Sequence, residues 1–301
     1  MAGSRRFGLL NMNKPAGSTS RRVVDQVVKL VRPEKAGHAG TLDPLATGVL
    51  VVCVGKATRL IEMVQQQTKS YRAQFLLGRH SDTDDVTGNV TEIAVASEVT
   101  HDRVVAALPA FCGRIQQIPP TFSAVHVDGN RAYDLARKGQ EVELSPREVD
   151  VYRLDLVRFA YPEIELEIDC GSGTYVRSIG RDLGRALGCG AVMSALVRTR
   201  IGPYRIEDAV SPEALTSETI DRLLLSPATA VEALPRYVAS KEDVVQIRAG
   251  RPFSTALAGG CNLEAPNGAT IAVMSKEEEL LCLAEFDIRE SRLLPRRVFV
   301  D

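Results

Sequence analysis

The sequence predicts an α/β fold with a small β-rich module near its C-terminal end, and three observations predict it. Two stretches alternate with the period of a half-buried strand: Tyr71, Ala73, Phe75 and Leu77 against Arg72, Gln74 and Leu76, and Ile164, Leu166, Ile168 and Cys170 against Glu165, Glu167 and Asp169. An unbroken apolar run at residues 49–54 reads as a core strand. Two other stretches repeat apolar residues at helical spacing, Val23, Val24, Val27, Val28 and Val31 in one and Val176, Ile179, Leu183, Ala186 and Leu187 in the other.

Taken in order, residues 7–12 form a short predicted strand, and Ser18-Thr19-Ser20 supplies N-cap candidates for a helix over residues 21–31. That helix buries its valine face and leaves Arg21, Arg22 and Lys29 more exposed. A glycine-bounded loop at residues 38–48 then leads into the apolar run. After the second alternating strand, Thr174 is positioned to cap the second helix, which places Arg177 in its first turn near a strand end. Pro212, Pro227 and Pro235 mark the approach to a C-terminal module from about Tyr237. Its apolar runs at 269–274 and 280–284, separated by Gly and polar residues, suit short strands. The predicted domains are therefore residues 1–236 and 237–301.

Composition narrows the function. With 45% hydrophobic and 25% charged residues, the chain has the make-up of a soluble globular protein rather than a disordered one. No apolar run approaches the roughly 20 residues of a spanning helix, and Arg5 and Arg6 are not followed by an apolar signal core. Six cysteines lack paired zinc-site spacing and disulfide-scaffold density, so buried free thiols and a cytoplasmic location are expected. The net charge of -1 conceals a strong asymmetry: residues 1–80 hold 13 Lys/Arg against 4 Asp/Glu, and residues 171–210 hold 6 against 3. A local positive field of this kind attracts phosphates whatever the overall isoelectric point.

The loop His38-Ala39-Gly40-Thr41-Leu42-Asp43-Pro44-Leu45-Ala46-Thr47-Gly48 sets one carboxylate among small residues just before the buried run. Gly40 and Gly48 permit backbone angles other residues resist, and Pro44 fixes φ directly after Asp43. The residues alone leave two readings, a turn-capping Asp43 and a catalytic acid on a rim. The loop resembles the signature of the TruB-type tRNA pseudouridine synthases, Gly-x-Leu-Asp-Pro-x-Ala-x-Gly, with Gly40, Leu42, Asp43, Pro44, Ala46 and Gly48 matching. Further family-like blocks keep the same order: Lys14-Pro15-Ala16-Gly17-Ser18-Thr19-Ser20, Lys69-Ser70-Tyr71-Arg72, Asp82-Thr83-Asp84-Asp85-Val86-Thr87-Gly88, and the block at residues 170–179. The resemblance runs from about residue 7 to about residue 202, and five ordered motifs are far more specific than one.

The resemblance implies a mixed, largely antiparallel central sheet with flanking helices and a catalytic cleft, an α+β arrangement, followed by a PUA-like RNA-binding domain. It implies isomerisation of uridine 55 in the tRNA T arm, with no metal and no cofactor, by a chain expected to be a monomer that binds the T stem-loop and no membrane. Asp43 would act as nucleophile or as base on the ribose, and the sequence leaves both routes open. Arg177 and Asp85 would complete a network around it, and Tyr71 would stack on the target base and take the C5 proton. His38 would fill the space left by a flipped nucleotide, with Tyr175 and Leu196 as pocket walls and Lys14 and Arg21 as further substrate contacts. An RNA-clamping insertion is expected at about 112–150, where His126 stands in place of a usual lysine and predicts a weaker phosphate contact.

Taken singly, each residue also has a structural reading: Tyr71, Tyr175 and Leu196 as core packing, His38 as a surface residue, Arg177 as a solvated or phosphate-bound arginine. Two other functions are weighed. Asp82, Asp84 and Asp85 suggest a divalent-metal nuclease, but hard cations need more oxygen ligands than this loop supplies. An RNA chaperone that folds tRNA without modifying it is the main alternative. Nucleotide-binding motifs fail, since Val176 replaces the third glycine after Gly171-Ser172-Gly173, and Gly55-Lys56 has Leu50 where a P-loop needs glycine.

Overall fold

The computed structural model describes residues 6–94, 98–123, 126–127, 130–131, 144–255 and 263–300. Nine strands form the main sheet: β1 (Gly8–Lys14), β2 (Ala36–His38), β3 (Thr47–Val54), β4 (Lys69–Leu77), β5 (Gly113–Gln117), β6 (Arg147–Ala160), β7 (Glu163–Cys170), β8 (Ala191–Ile201) and β9 (Tyr204–Arg205). Seven run in the order β1-β3-β8-β4-β7-β6-β5, with β2 added to β3 and β9 to β8. Only the β3–β8 pairing is parallel, so the sheet is mixed and largely antiparallel.

The apolar run of β3 is explained by what covers it. Leu50, Val52 and Val54 pack with Val23, Val24, Val27 and Val31 of helix α1 (Ser20–Val31). Val49, Val51 and Cys53 pack on the other side with Ala272, Met274, Leu280, Leu283 and Phe299 from the C-terminal module. A strand buried on both faces has no reason to alternate. In β4 and β7, one face packs under helix α2 (Val176–Ala186) through Phe75, Leu77, Ile164 and Leu166. The other carries ion pairs such as Arg72 with Glu165 and Glu167, which is why these strands alternate. Helix α2 lies close on the sheet: a Cβ at Gly180 would come within 2.1 Å of the Phe75 ring.

Thr19 caps α1, its Oγ1 accepting the Arg22 N–H at 3.1 Å. The expected Thr174 cap is corrected: the N-cap of α2 is Tyr175, which makes no side-chain cap. Gln117 of β5 supplies the missing support, its Oε1 accepting the Tyr175 N–H at 2.8 Å and its Nε2 donating to the Tyr175 carbonyl at 3.1 Å.

A second sheet contains β10 (Arg236–Val238), β11 (Phe253–Ser254), β12 (Thr270–Met274), β13 (Leu280–Asp287) and β14 (Arg292–Val298), in the order β10-β12-β13-β14-β11. This β-rich module is tied to the main sheet. Phe299 stacks on Phe7 at 5.4 Å, Lys56 Nζ donates to the Phe299 carbonyl at 2.9 Å, and Arg297 pairs with Glu62 at 2.8 Å. The five described cysteines are free. Among the described residues, no helix is long and apolar enough to cross a membrane. Of the expected clamping insertion, residues 124–125, 128–129 and 132–143 lie outside the described residues; residues 126–127 and 130–131 pair as a short antiparallel ladder.

Candidate active site

The Asp43 loop is fastened from several sides. Ser20, at the start of α1, accepts the Leu42 N–H at 2.9 Å and donates to the Leu42 carbonyl at 3.1 Å. Lys14 Nζ donates to the carbonyls of Pro15, Ser18 and Pro44 at 2.9, 2.6 and 3.3 Å. From β8, Arg198 donates to the carbonyls of Val49, Gly40 and Thr41 at 2.7, 3.1 and 3.4 Å. Gly48 adopts φ 98°, and a Cβ there would fall 2.3 Å from the Arg198 carbonyl oxygen, so the close β3–β8 approach requires glycine. Leu42 and Ala46 point into the core, while the Asp43 side chain stays 39% exposed.

Arg177 meets that carboxylate from the first turn of α2, its Nε lying 3.0 Å from Asp43 Oδ2. The guanidinium is buried, with Nη1 donating to the Thr83 carbonyl at 2.8 Å, Nη2 donating to the Phe122 carbonyl at 3.0 Å, and Asp85 Oδ2 3.7 Å from Nη1. Asp85 is itself buried and held by the Thr83 hydroxyl and the Thr87 N–H, both at 2.9 Å. Arg177 therefore stands between Asp85 and Asp43. Its neighbours diverge: Asp84 pairs with Arg181 at 3.0 Å, and Asp82 accepts the Asn89 N–H at 2.9 Å. The three carboxylates do not converge on one point.

A cleft of about 900 Å³ opens above Asp43, and Tyr71, Tyr175, Leu196, Lys69 and Arg198 share its lining with Asp43 and Arg177. Tyr71 is almost fully buried, and burial pushes its hydroxyl pKa up against the opposing charge of Arg198. Lys69 is also buried, and burial lowers its ammonium to about 8. His38 lies on β2, half-buried and outside the residues lining the cleft; burial, then Arg198 and Arg21, lower its pKa and favour the neutral ring. Arg21 is exposed on α1 and pairs with Asp25 at 2.8 Å.

One expected substrate contact is corrected. Lys14 is fully buried, with its ammonium directed at main-chain carbonyls and lowered to about 8 by burial, so it braces the Asp43 loop instead of facing RNA. Two residues were missed by sequence reasoning. Gln117 gave no signal, because its partner Tyr175 lies far along the chain. Arg198 gave one: it stands two residues after Leu196, in phase with the buried positions of an apolar strand, where an arginine needs a reason.

Comparison with known proteins defines the family. A profile described as TruB family pseudouridylate synthase (N terminal domain) matches residues 28–176, and one described as tRNA pseudouridylate synthase B C-terminal domain matches residues 177–241. Two relatives called tRNA pseudouridine synthase B are 40% identical over 94% of this chain and 95% of the Microcystis aeruginosa protein, and 45% identical over 83% of this chain and 84% of the Symbiobacterium thermophilum protein. Among solved structures, a chain of an H/ACA RNP bound to a substrate RNA containing 2'-deoxyuridine aligns with a TM-score of 0.74 at 25% identity, covering 98% of this chain and 86% of that one. A chain of a Cbf5-Nop10-Gar1 complex aligns at 0.73 and 26% identity, covering 98% and 85%. The fold and the family matches are those of an RNA-modifying isomerase. The chain belongs to the TruB family of pseudouridylate synthases.

Proposed function

We propose that this enzyme isomerises uridine 55 in the T arm of tRNA, drawing the target nucleotide out of its stack to place its sugar beside Asp43. One observation carries the reading: a partly exposed carboxylate, anchored by a buried arginine, opens into a cleft that Tyr71 also lines. A stacked and paired nucleotide hides C1′ and C5, so the base must be flipped for the chemistry to begin.

The reaction breaks the bond from C1′ to N1 of uracil and makes one from C1′ to C5. Asp43 serves this either by attacking the sugar or by accepting a ribose proton, and both routes need its carboxylate fixed relative to C1′. Arg177 fixes it by charge and hydrogen bonding from a buried position. Tyr71 offers a ring for stacking and a hydroxyl near the reacting base. Tyr175 and Leu196 wall the cleft, and the neutral His38 ring is suited to fill the gap left in the RNA. The exposed basic residues of the first 80 positions, Arg21 among them, hold the T stem-loop through its phosphates.

Mapping pseudouridine in tRNA from cells with and without the protein tests the proposal. Loss at position 55 alone is the expected result. Unchanged modification, with slower recovery of unfolded tRNA, would favour the chaperone reading.

A further inference from the structure

Arg198 is almost completely buried, and the three hydrogen bonds of its guanidinium go to main-chain carbonyls. Among the described residues no carboxylate pairs with it, and a buried cation left without one is costly, so its charge must serve something nearby. Sheet geometry shows what. In the β4–β8 ladder Arg198 lies directly opposite Tyr71, and the register slips immediately after it, between Arg198 and Arg200. Directly opposed residues stand about 5 Å apart at Cβ, and a bulge re-aims the side chains beside it. Both residues reach the same cleft. On its other side Arg198 pairs with Gly48 of β3 and holds the first residues of the Asp43 loop.

We infer that Arg198 is a positioning residue that locks the Asp43 loop and the Tyr71 hydroxyl into one rigid unit and supplies the positive charge under which Tyr71 works as a phenolate. This rests on the reading of Tyr71 as the group that receives the C5 proton. In that step the C5–H bond breaks, its electron pair returns to the uracil ring, and the proton goes to the phenolate oxygen, which had given its own proton to water. Arg198 on β8, Asp43 on its loop and Cys170 on β7 bear on the Tyr71 hydroxyl, and Lys69 on β4 and Arg177 on α2 line the same cleft. Arg198 is the cation directly opposite Tyr71 in the ladder, opposing both burial and the Asp43 charge.

The experiment compares Arg198→Met, Arg198→Lys, Tyr71→Phe and the double variant Arg198→Met/Tyr71→Phe by single-turnover kinetics across pH, with a T stem-loop RNA at saturation. For Arg198→Met the account expects a rate loss on the order of 100-fold, within the range for a misdirected proton transfer. RNA affinity should stay within about twofold, as expected for a group that does not bind phosphate. The alkaline inflection of the rate should move to higher pH. Arg198→Lys, which keeps the charge but cannot span three carbonyls, should restore the inflection while remaining slow. In the Tyr71→Phe background, Arg198→Met should leave the pH profile unmoved.

A folded Arg198→Met enzyme with normal rate and profile would overturn the inference. So would a pH shift that persists without the Tyr71 hydroxyl. Should Arg198→Met fail to fold, Arg198→Lys decides: an inflection displaced despite the retained charge contradicts the assignment. An Asp43→Asn protein that still makes product would instead defeat the proposed function, so the two failures are distinguishable.

Discussion

The two walls of the cleft hold their arginines in opposite ways. On the helix wall, Arg177 sits between two carboxylates, one of them open to the cleft. On the strand wall, Arg198 is enclosed by carbonyls and packed between two strands. The first arrangement aims a charge at the Asp43 carboxylate, and the second fixes the loop that carries it.

Substitutions sharpen this contrast. The largest effect is expected for Arg177→Lys, which keeps a charge but cannot hold Asp43, Thr83 and Phe122 at once. Turnover should fall by about 100-fold or more, the order of loss that a misplacement near 1 Å produces. RNA affinity should be preserved. Near-normal turnover would erase the distinction between the walls.

The glycines that let the Asp43 loop approach the strand wall should register in stability. Gly48→Ala forces a Cβ to 2.3 Å from the Arg198 oxygen at a positive φ, whereas Gly40→Ala, also at a positive φ, meets nothing nearer than 3.6 Å. Denaturant unfolding should show Gly48→Ala losing about 2–4 kcal/mol and Gly40→Ala about 1–2 kcal/mol. Equal losses would mean that close approach to β8 is unimportant.

Lys14 gives the scaffold a pH signature. Its folded pKa of about 8 lies below the ordinary 10.5, so between these values the unfolded chain binds more protons, and the lysine's contribution to stability rises with pH. Below about 8 the cost of burying the charge is fully present. The stability of wild type relative to Lys14→Met should therefore increase from pH 8 to pH 10.5; the comparison cancels the buried thiols, which pull the other way. A flat difference would place the Lys14 ammonium in water. The smallest effect belongs to neither wall: Arg21→Ala should reduce the salt slope of RNA binding by about 0.7 to 0.9 while leaving saturated turnover unchanged.

The helix wall was legible in the sequence and the strand wall largely was not. Asp43, Asp85 and Arg177 sit in compact blocks whose order alone brought them together, and α1 announced itself through its valine spacing and Thr19. Arg198 needed the β3–β8–β4 pairing, which joins positions about 150 residues apart in hydrogen bonds to Val49 and Gly40. Lys14 stands in a recognisable block, yet its burial depends on how the Asp43 loop folds over it. Thr174 looked like a cap because local propensity favours it, but Gln117 reached Tyr175 from another strand and took over that end of the helix. The unbroken run of β3 showed a strand without saying that the C-terminal module covers its second face.

The most direct measurement places tritium at C5 of the target uridine in a T stem-loop and follows its release alongside RNA binding, for wild type and Asp43→Asn. The substitution keeps the side chain's size and removes the charge that both routes use. Wild type should release one tritium per pseudouridine formed, and Asp43→Asn should bind the RNA with similar affinity and release none. Release by a clean Asp43→Asn preparation at a rate near that of wild type would contradict the account.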